Sequence, residues 1–499
     1  MSVLKVESAY RSDDIRAAEG PVLARLGGSA LMDRAAARLA VVCVEVLRET
    51  GGVNGRRVVL LVGSGNNAGD ALLAGARLRQ RGAKVTAVLI NKTTHQRGLT
   101  TLRSRGGCVI DATNTDAVES ILNALADAEL VVDGIVGISG KTGLRAPADQ
   151  LVNAVPSGTP VVAVDLPSGV DPDTGETDGQ HVVADVTVTF GAMKPCLMLP
   201  PAAYATGRVV YVDVGITGEL RGEPAVERLT PAGVAARWPL PAHTAHKYSR
   251  GVLGVIAGSD KYPGAAVLAV GGAFETGLGA LWYVGPRRAS DQVLTAFPET
   301  MHGKGRVQAW LLGSGVESDP NQDRAVDEAL ESGLPCVVDA GALAACVRHR
   351  SSGKRAATTA EQVLLTPHAG ELARMFNQIG HEVSREEVEA RPAYHGRWLA
   401  GELEVTVLVK GPTTLVVPPT GPVGSVSEAP AWLATAGAGD VLAGIAGALM
   451  AAGVDAYNAG QMAAFVHGRA AALASNGGPI RSGRVIGAIA PVIAELLEA

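Results

Sequence analysis

Gly63-Ser64-Gly65-Asn66-Asn67-Ala68-Gly69-Asp70 follows the apolar run 58–62 and stands where a helical pattern begins. A strand that turns through glycine and asparagine into a helix belongs to parallel α/β sheets, whose ligand crevice lies outside the carboxyl ends of the strands. The glycines free backbone N–H groups at a helix N-terminus, where partial positive charge favours an anion. A second loop of this kind, Ala436-Gly437-Ala438-Gly439-Asp440, lies near the other end of the chain and ends in a carboxylate. A carboxylate beside an anion nest repels ground-state phosphate but is well placed to take a proton from a hydroxyl attacking that phosphate. The first loop reads as binding, the second as phosphoryl transfer.

Outward from these loops, apolar runs at 58–62, 84–90, 130–133, 160–165, 186–190 and 209–212 predict strands in the first half. A second series follows at 252–257, 281–284, 309–312, 336–339, 362–365, 405–409 and 414–417, with three Ala-rich helices after Gly439. Alternation of short apolar strands with helical patterns predicts α/β units whose parallel sheets are covered on both faces. Asp13 is the predicted cap of a first helix, and Leu31, Met32, Ala35, Ala36 and Leu39 recur at helical spacing in a second. At 499 residues the chain exceeds the size at which a single core stops growing. Periodicity fades over 214–245 while Pro224, Pro231, Pro239 and Pro241 accumulate, so the predicted division is 1–225 and 226–499.

A net charge of −5 leaves no basic excess to neutralise nucleic acid, and 4% aromatic residues do not furnish a base-stacking surface. Five scattered cysteines without CxxC spacing fit reduced thiols and give no zinc site. Charged residues through the first twenty positions exclude a signal peptide, so the expected location is the cytoplasm. The stretch 434–453 is nearly long and apolar enough for a membrane span, but Asp440 near its start predicts a buried helix instead.

Four polar stretches of the first half follow apolar strands: Asn66 to Asp70, Asp133 to Gly143, Asp165-Leu166-Pro167-Ser168-Gly169-Val170-Asp171, and Lys194-Pro195. Gathered on one sheet edge they make an oxygen-rich pocket, in which Asn67, Asp133 and Ser168 can offer side-chain oxygens to a hard cation. At the end of a strand Asp165 can act as a cap. The Asn-Asn-X-Gly-Asp loop and the Asp-X-Pro-Ser-Gly motif, in this order, resemble the N-terminal YjeF domain of NAD(P)H-hydrate repair enzymes, a Rossmann-like three-layer fold. The resemblance implies epimerisation of hydrated NADH and NADPH. It implies substrate contacts from Asn66, Asn67, Ala68, Gly69 and Asp70, from Gly137, Ile138, Ser139, Gly140, Lys141, Thr142 and Gly143, and from Asp165 as acid/base. It also implies K⁺ on Asn67, Asp133 and Ser168.

The second half carries His246-Lys247-Tyr248-Ser249-Arg250-Gly251, Tyr262-Pro263-Gly264-Ala265-Ala266, Gly313-Ser314-Gly315, Asp339-Ala340-Gly341, Thr366-Pro367-His368-Ala369-Gly370-Glu371, Lys410-Gly411-Pro412-Thr413-Thr414 and the loop ending in Asp440. Their order is similar to the C-terminal, ribokinase-like domain of the same enzymes, the ADP/ATP-dependent dehydratase. The resemblance implies Asp440 as the base that deprotonates the substrate hydroxyl. It implies contacts to the hydrated dinucleotide from Ala265, Gly315, His368 and Asp440, and contacts to ADP or AMP from Lys410, Gly411, Pro412, Thr413, Thr414 and Gly439. Mg²⁺ is expected with ADP or ATP, positioned through water by Asp339 and Glu371, and ADP is the favoured donor. The resemblance implies a homo-oligomer. Gly341 departs from the Asp-Ala-Asp run common in the family. Two rival readings stand beside this one: a vitamin-type kinase on the same fold, and a first domain that only scaffolds.

Overall fold

The computed structural model describes residues 5–27, 29–351 and 358–498. It divides into two compact units, Ser8–Val226 and Glu227–Ala499, and residues 5–7 group with the second. The strand Val6–Ala9, too short and polar to announce itself in the sequence, takes the edge of the second sheet beside Val226–Leu229.

The first unit is built on seven strands in the order Cys108–Asp111, Lys84–Leu89, Arg57–Val62, Leu130–Gly134, Val161–Val164, Val186–Phe190 and Arg208–Val212. Every pairing in it is parallel. Chain order reverses between Arg57–Val62 and Leu130–Gly134, so the loops that leave these two strands flank a crevice at their carboxyl ends. Central strands are buried on both faces; Val58 to Val62 are all at most 2% exposed, as continuous apolar runs require. Helix Ala30–Glu49 packs Leu39, Val42, Cys43 and Leu47 against one face. Asp13 is not the cap of the first helix, Ser12–Leu26: Arg11 holds that position, and Asp13 lies in the first turn paired to Arg16 at 2.8 Å.

The second unit carries an eleven-stranded sheet in which Val252–Ile256 pairs in parallel with Ala280–Val284 on one side and Ala309–Leu312 on the other. Parallel pairing continues through Cys336–Val338, Val363–Leu365 and Thr406–Val409. Thr414–Val417 and Val423–Val426 then return antiparallel. Helix Ala438–Ala451 is buried from Val441 onward. Its Gly444 meets the backbone of Ala269, and Gly272 of helix Pro263–Glu275 meets the carbonyl of Val441, an approach that any side chain at either glycine would block. Among the described residues no helix is long and apolar enough to cross a membrane.

Candidate active sites

In the first unit the four polar stretches leave the carboxyl edge of one parallel sheet. Helix Asn66–Gln80 starts directly behind Gly65. Asn67 donates its amide to the carbonyls of Val164 (2.6 Å) and Val136 (3.2 Å), which leaves its Oδ1 as an acceptor. Asp133, at the end of Leu130–Gly134, is fully buried; Ser168 donates to it from both backbone N (2.8 Å) and Oγ (2.7 Å), and Ile135 N from 3.2 Å. Burial pushes its carboxyl up to about 6 against the pull of those hydrogen bonds. No cationic side chain among the described residues pairs with it. An uncompensated buried carboxylate surrounded by amide, hydroxyl and carbonyl oxygens fits a monovalent hard cation.

Asp165 stands at φ 71, a backbone strain that few non-glycine residues carry. Its Oδ1 accepts from Thr189 Oγ1 and Phe190 N (both 3.2 Å) and is ion-paired with the buried Lys194. A cavity of ≈ 270 Å³ is lined by Asn66, Asn67, Asp70, Ile138, Asp165 and Lys194, with apolar walls from Ile15, Leu23, Leu31, Met32 and Phe190. Not all the expected contacts face it. Ala68 points into the hydrophobic core, and Lys141 is exposed on the loop. Gly137 sits against the Asn67 carboxamide, and Gly143 N donates to Gly169 O at 2.9 Å, tying the loop to the Asp165 segment. Glu19, on the first helix, also lines the cavity and carries no sequence motif that would have revealed it.

In the second unit Gly437 adopts φ 85 and turns the chain into helix Ala438–Ala451. The Ala438 amide is spent on Thr435 O (3.3 Å) and that of Val441 on Gly437 O (3.4 Å), so the anion-facing amides are those of Gly439 and Asp440. Burial, and then the charge of Asp339, push the Asp440 carboxyl up to about 7, with Lys410 pulling the other way. Lys410 leaves the end of Thr406–Val409 and reaches Asp339 Oδ1 (2.9 Å) and Glu371 (3.6 Å); its Nζ lies 3.4 Å from the point where a Cβ on Gly439 would stand. Asp339 also accepts from Thr366 Oγ1 (2.8 Å) and Ser314 Oγ (3.0 Å), and Ser314 reaches Asp440 as well.

Asp339 has its oxygens engaged by lysine and hydroxyls, and the described residues form no cluster of three or more metal-ligating side chains. His368 caps helix Ala369–Gln378: its Nδ1 accepts from Gly370 N (3.1 Å) and Glu371 N (3.3 Å), and its Nε2 edge lies 3.5 Å from Glu371 Oε1. Ala265 and Gly315 touch, 2.5 Å separating Ala265 Cβ from a Cβ built on Gly315. Thr413 is buried while Gly411 and Pro412 are exposed. Gly341 packs against the Val316 carbonyl, so the aspartate common at this position has no room here.

Two α/β sheets, each with an acidic cluster at its carboxyl edge beside a glycine-led helix start, define a two-unit enzyme of nucleotide chemistry. A family model described as NAD(P)H-hydrate dehydratase matches residues 253–482, and one described as YjeF-related protein N-terminus matches 28–196. The bifunctional NAD(P)H-hydrate repair enzyme Nnr of Mycobacterium tuberculosis is 43% identical over 455 residues, covering 89% of each chain. That of Mycobacterium leprae is 43% identical over 480 residues, 94% of this chain and 95% of its own. An ADP/ATP-dependent NAD(P)H-hydrate dehydratase from Bacillus subtilis, crystallised with ATP/Mg²⁺, is 26% identical, with a TM-score of 0.49 over 54% of this chain and 97% of that one. The chain belongs to the bifunctional NAD(P)H-hydrate repair enzymes. It joins a YjeF-type epimerase unit to a dehydratase unit, each built on a largely parallel sheet, and nothing favours the vitamin-type kinase or the scaffold reading.

Proposed function

We propose that the second unit transfers the terminal phosphoryl group of ADP to the hydroxyl of hydrated NADH or NADPH, with ATP as the alternative donor. One observation carries this reading: a carboxylate poised near neutrality, Asp440, stands at a helix start whose next amides face outward, with the Lys410 ammonium beside them. Asp440 takes the hydroxyl proton as the oxygen attacks phosphorus, and AMP departs (ADP when ATP is the donor). The Gly439 and Asp440 amides and Lys410 meet the charge of the transferring group. Phosphate then leaves with the C–O electron pair, driven by the ring nitrogen lone pair, and loss of a ring proton restores NAD(P)H. Mg²⁺ arrives as the counter-ion of the nucleotide phosphates, in keeping with its preference for phosphate oxygens and water. Ala265, Gly315 and the His368 Nε2 edge hold the hydrated dinucleotide, and residues 410–414 with Gly439 the adenine nucleotide.

The first unit supplies the epimer that the second consumes. Asn66 to Asp70, the loop 137–143 and Asp165 hold the hydrated dinucleotide, and Asn67, Asp133 and Ser168 hold K⁺, which supplies a fixed positive charge to the crevice. The protein acts in the cytoplasm as a homo-oligomer. The test is absorbance at the reduced-nicotinamide band after mixing the protein with both hydrated epimers, Mg²⁺, K⁺, and ADP or ATP. Recovery of the whole mixture is expected; recovery that stops at one epimer's share refutes the epimerase, and none with either nucleotide refutes the dehydratase.

A further inference from the structure

The cavity of the first unit holds more carboxyl groups than its single ammonium can neutralise. Glu19, Asp70 and Asp165 line it together with Lys194, and Asp33 acts on Asp70 from helix Ala30–Glu49. Lys194 is 1% exposed and commits its Nζ to Asp165, Thr189 Oγ1 (3.0 Å) and Phe190 O (2.9 Å). Asp70 is 6% exposed, and its buried Oδ1 has no hydrogen-bond partner at all. A buried carboxylate lacking both a cation and a donor is expensive, and such a group keeps its proton instead. Burial first, and then the charges of Asp165, Glu19 and Asp33, push the Asp70 carboxyl well above the usual range, with Lys194 opposing. Glu19 is raised as well, chiefly by burial. Two carboxyl groups of one pocket thus sit in opposite environments, one bare and one ion-paired, which is the pattern that separates an acid from a base.

We propose that epimerisation runs on this pair, with Asp70 as proton donor to the departing ring hydroxyl, Asp165 as proton acceptor from the returning water, and Lys194 as the positioning residue that keeps them distinct. The assignment rests on the epimerase reading above. The Asp70 proton passes to the hydroxyl oxygen as the C–O bond breaks, and both bonding electrons leave with the oxygen as water. The ring nitrogen lone pair forms a C=N bond. Water then adds to the other face, the C=N pair returns to nitrogen, and Asp165 takes the surplus proton. One proton has moved from Asp70 to Asp165, and the opposite epimer is converted by the same steps in reverse.

The test uses the full chain without ADP or ATP, so that epimer exchange is followed alone by chromatography from one purified epimer. Asparagine mimics a protonated aspartate in shape, so Asp70→Asn keeps the fold, which ADP-dependent dehydration and melting temperature verify. Its kcat for exchange is expected to fall about 100-fold or more, the usual worth of a general acid, with KM within about threefold of wild type. After subtraction of the uncatalysed rate, wild-type exchange is expected to slow as pH rises through the Asp70 transition, and Asp70→Asn to lose that limb. Unchanged kcat in Asp70→Asn, or a raised KM with kcat intact, overturns the assignment. A wild-type chain that does not exchange the epimers overturns the epimerase reading itself.

Discussion

Asp440→Asn separates the cost of the second-unit base from its use. The native carboxyl sits at about 7 against an ordinary 3.8. A raised acid means that the folded state binds the proton more tightly than the unfolded chain does. The stability from this group is therefore complete below pH 3.8 and lost as pH climbs through about 7. At 1.36 kcal/mol per unit of displacement, the ionised native group costs on the order of 4 kcal/mol above pH 7. Asparagine removes that cost. Its advantage over wild type is expected to be near zero at pH 4, to grow by about 1.4 kcal/mol per pH unit up to pH 7, and to level off beyond. For a unit of this size the plateau corresponds to a melting-temperature gain of about 10 °C. Tryptophan fluorescence isolates the signal, because Trp238, Trp282, Trp310, Trp398 and Trp432 all lie in Glu227–Ala499. Dehydration should vanish in the same variant while epimer exchange persists. A melting temperature that drops at pH 8, or an advantage equal at pH 4 and pH 8, refutes the reasoning.

Asp133→Asn and Ser168→Ala should each abolish stimulation of epimer exchange by K⁺ over Na⁺, measured as initial rates in matched chloride buffers. Gly437→Ala places a Cβ against Leu268 at a backbone φ of 85, so it should cost about 2 kcal/mol in urea unfolding and lower dehydratase kcat. Ser314→Ala leaves the buried Asp339 one donor short and should cost about 1–3 kcal/mol, with loss of dehydration but not of exchange. Gly341→Asp must displace the Val316 carbonyl, so a fully stable and fully active variant would contradict the packing described for this turn.

Much of the fold was legible because central parallel strands are apolar on both faces: Arg57–Val62 and Val252–Ile256 stand out as runs without alternation. Two short edge strands were not. Cys108–Asp111 and Val6–Ala9 are four residues long and partly exposed, so neither a run nor a strict alternation marks them. The loops at strand ends were visible as glycine and asparagine clusters, but what their side chains do was not. Glu19 and Lys194 meet Asp165 only through the fold, from sites 146 and 29 residues away in the sequence. That His368 also caps a helix was not legible, because the cap depends on an imidazole Nδ1 accepting amide hydrogens as a serine would.

Asp165 and Asp440 show why motif reading stops short of mechanism. Both are aspartates at the carboxyl edge of a parallel sheet beside a glycine-containing loop. Asp165 has a buried lysine bound directly to it, whereas the nearest lysine to Asp440 is already held by Asp339 and Glu371. The first arrangement holds a carboxyl oxygen against an ammonium; the second leaves a carboxyl raised to about 7. Exchanging two epimers calls for a proton donor and a proton acceptor in one pocket, held in different environments. Drawing a proton off a hydroxyl once, as a phosphoryl group arrives, calls for a base that binds the proton firmly enough to take it. The difference resides in where Lys194 and Lys410 place their ammonium groups, and a sequence read one residue at a time does not carry that information.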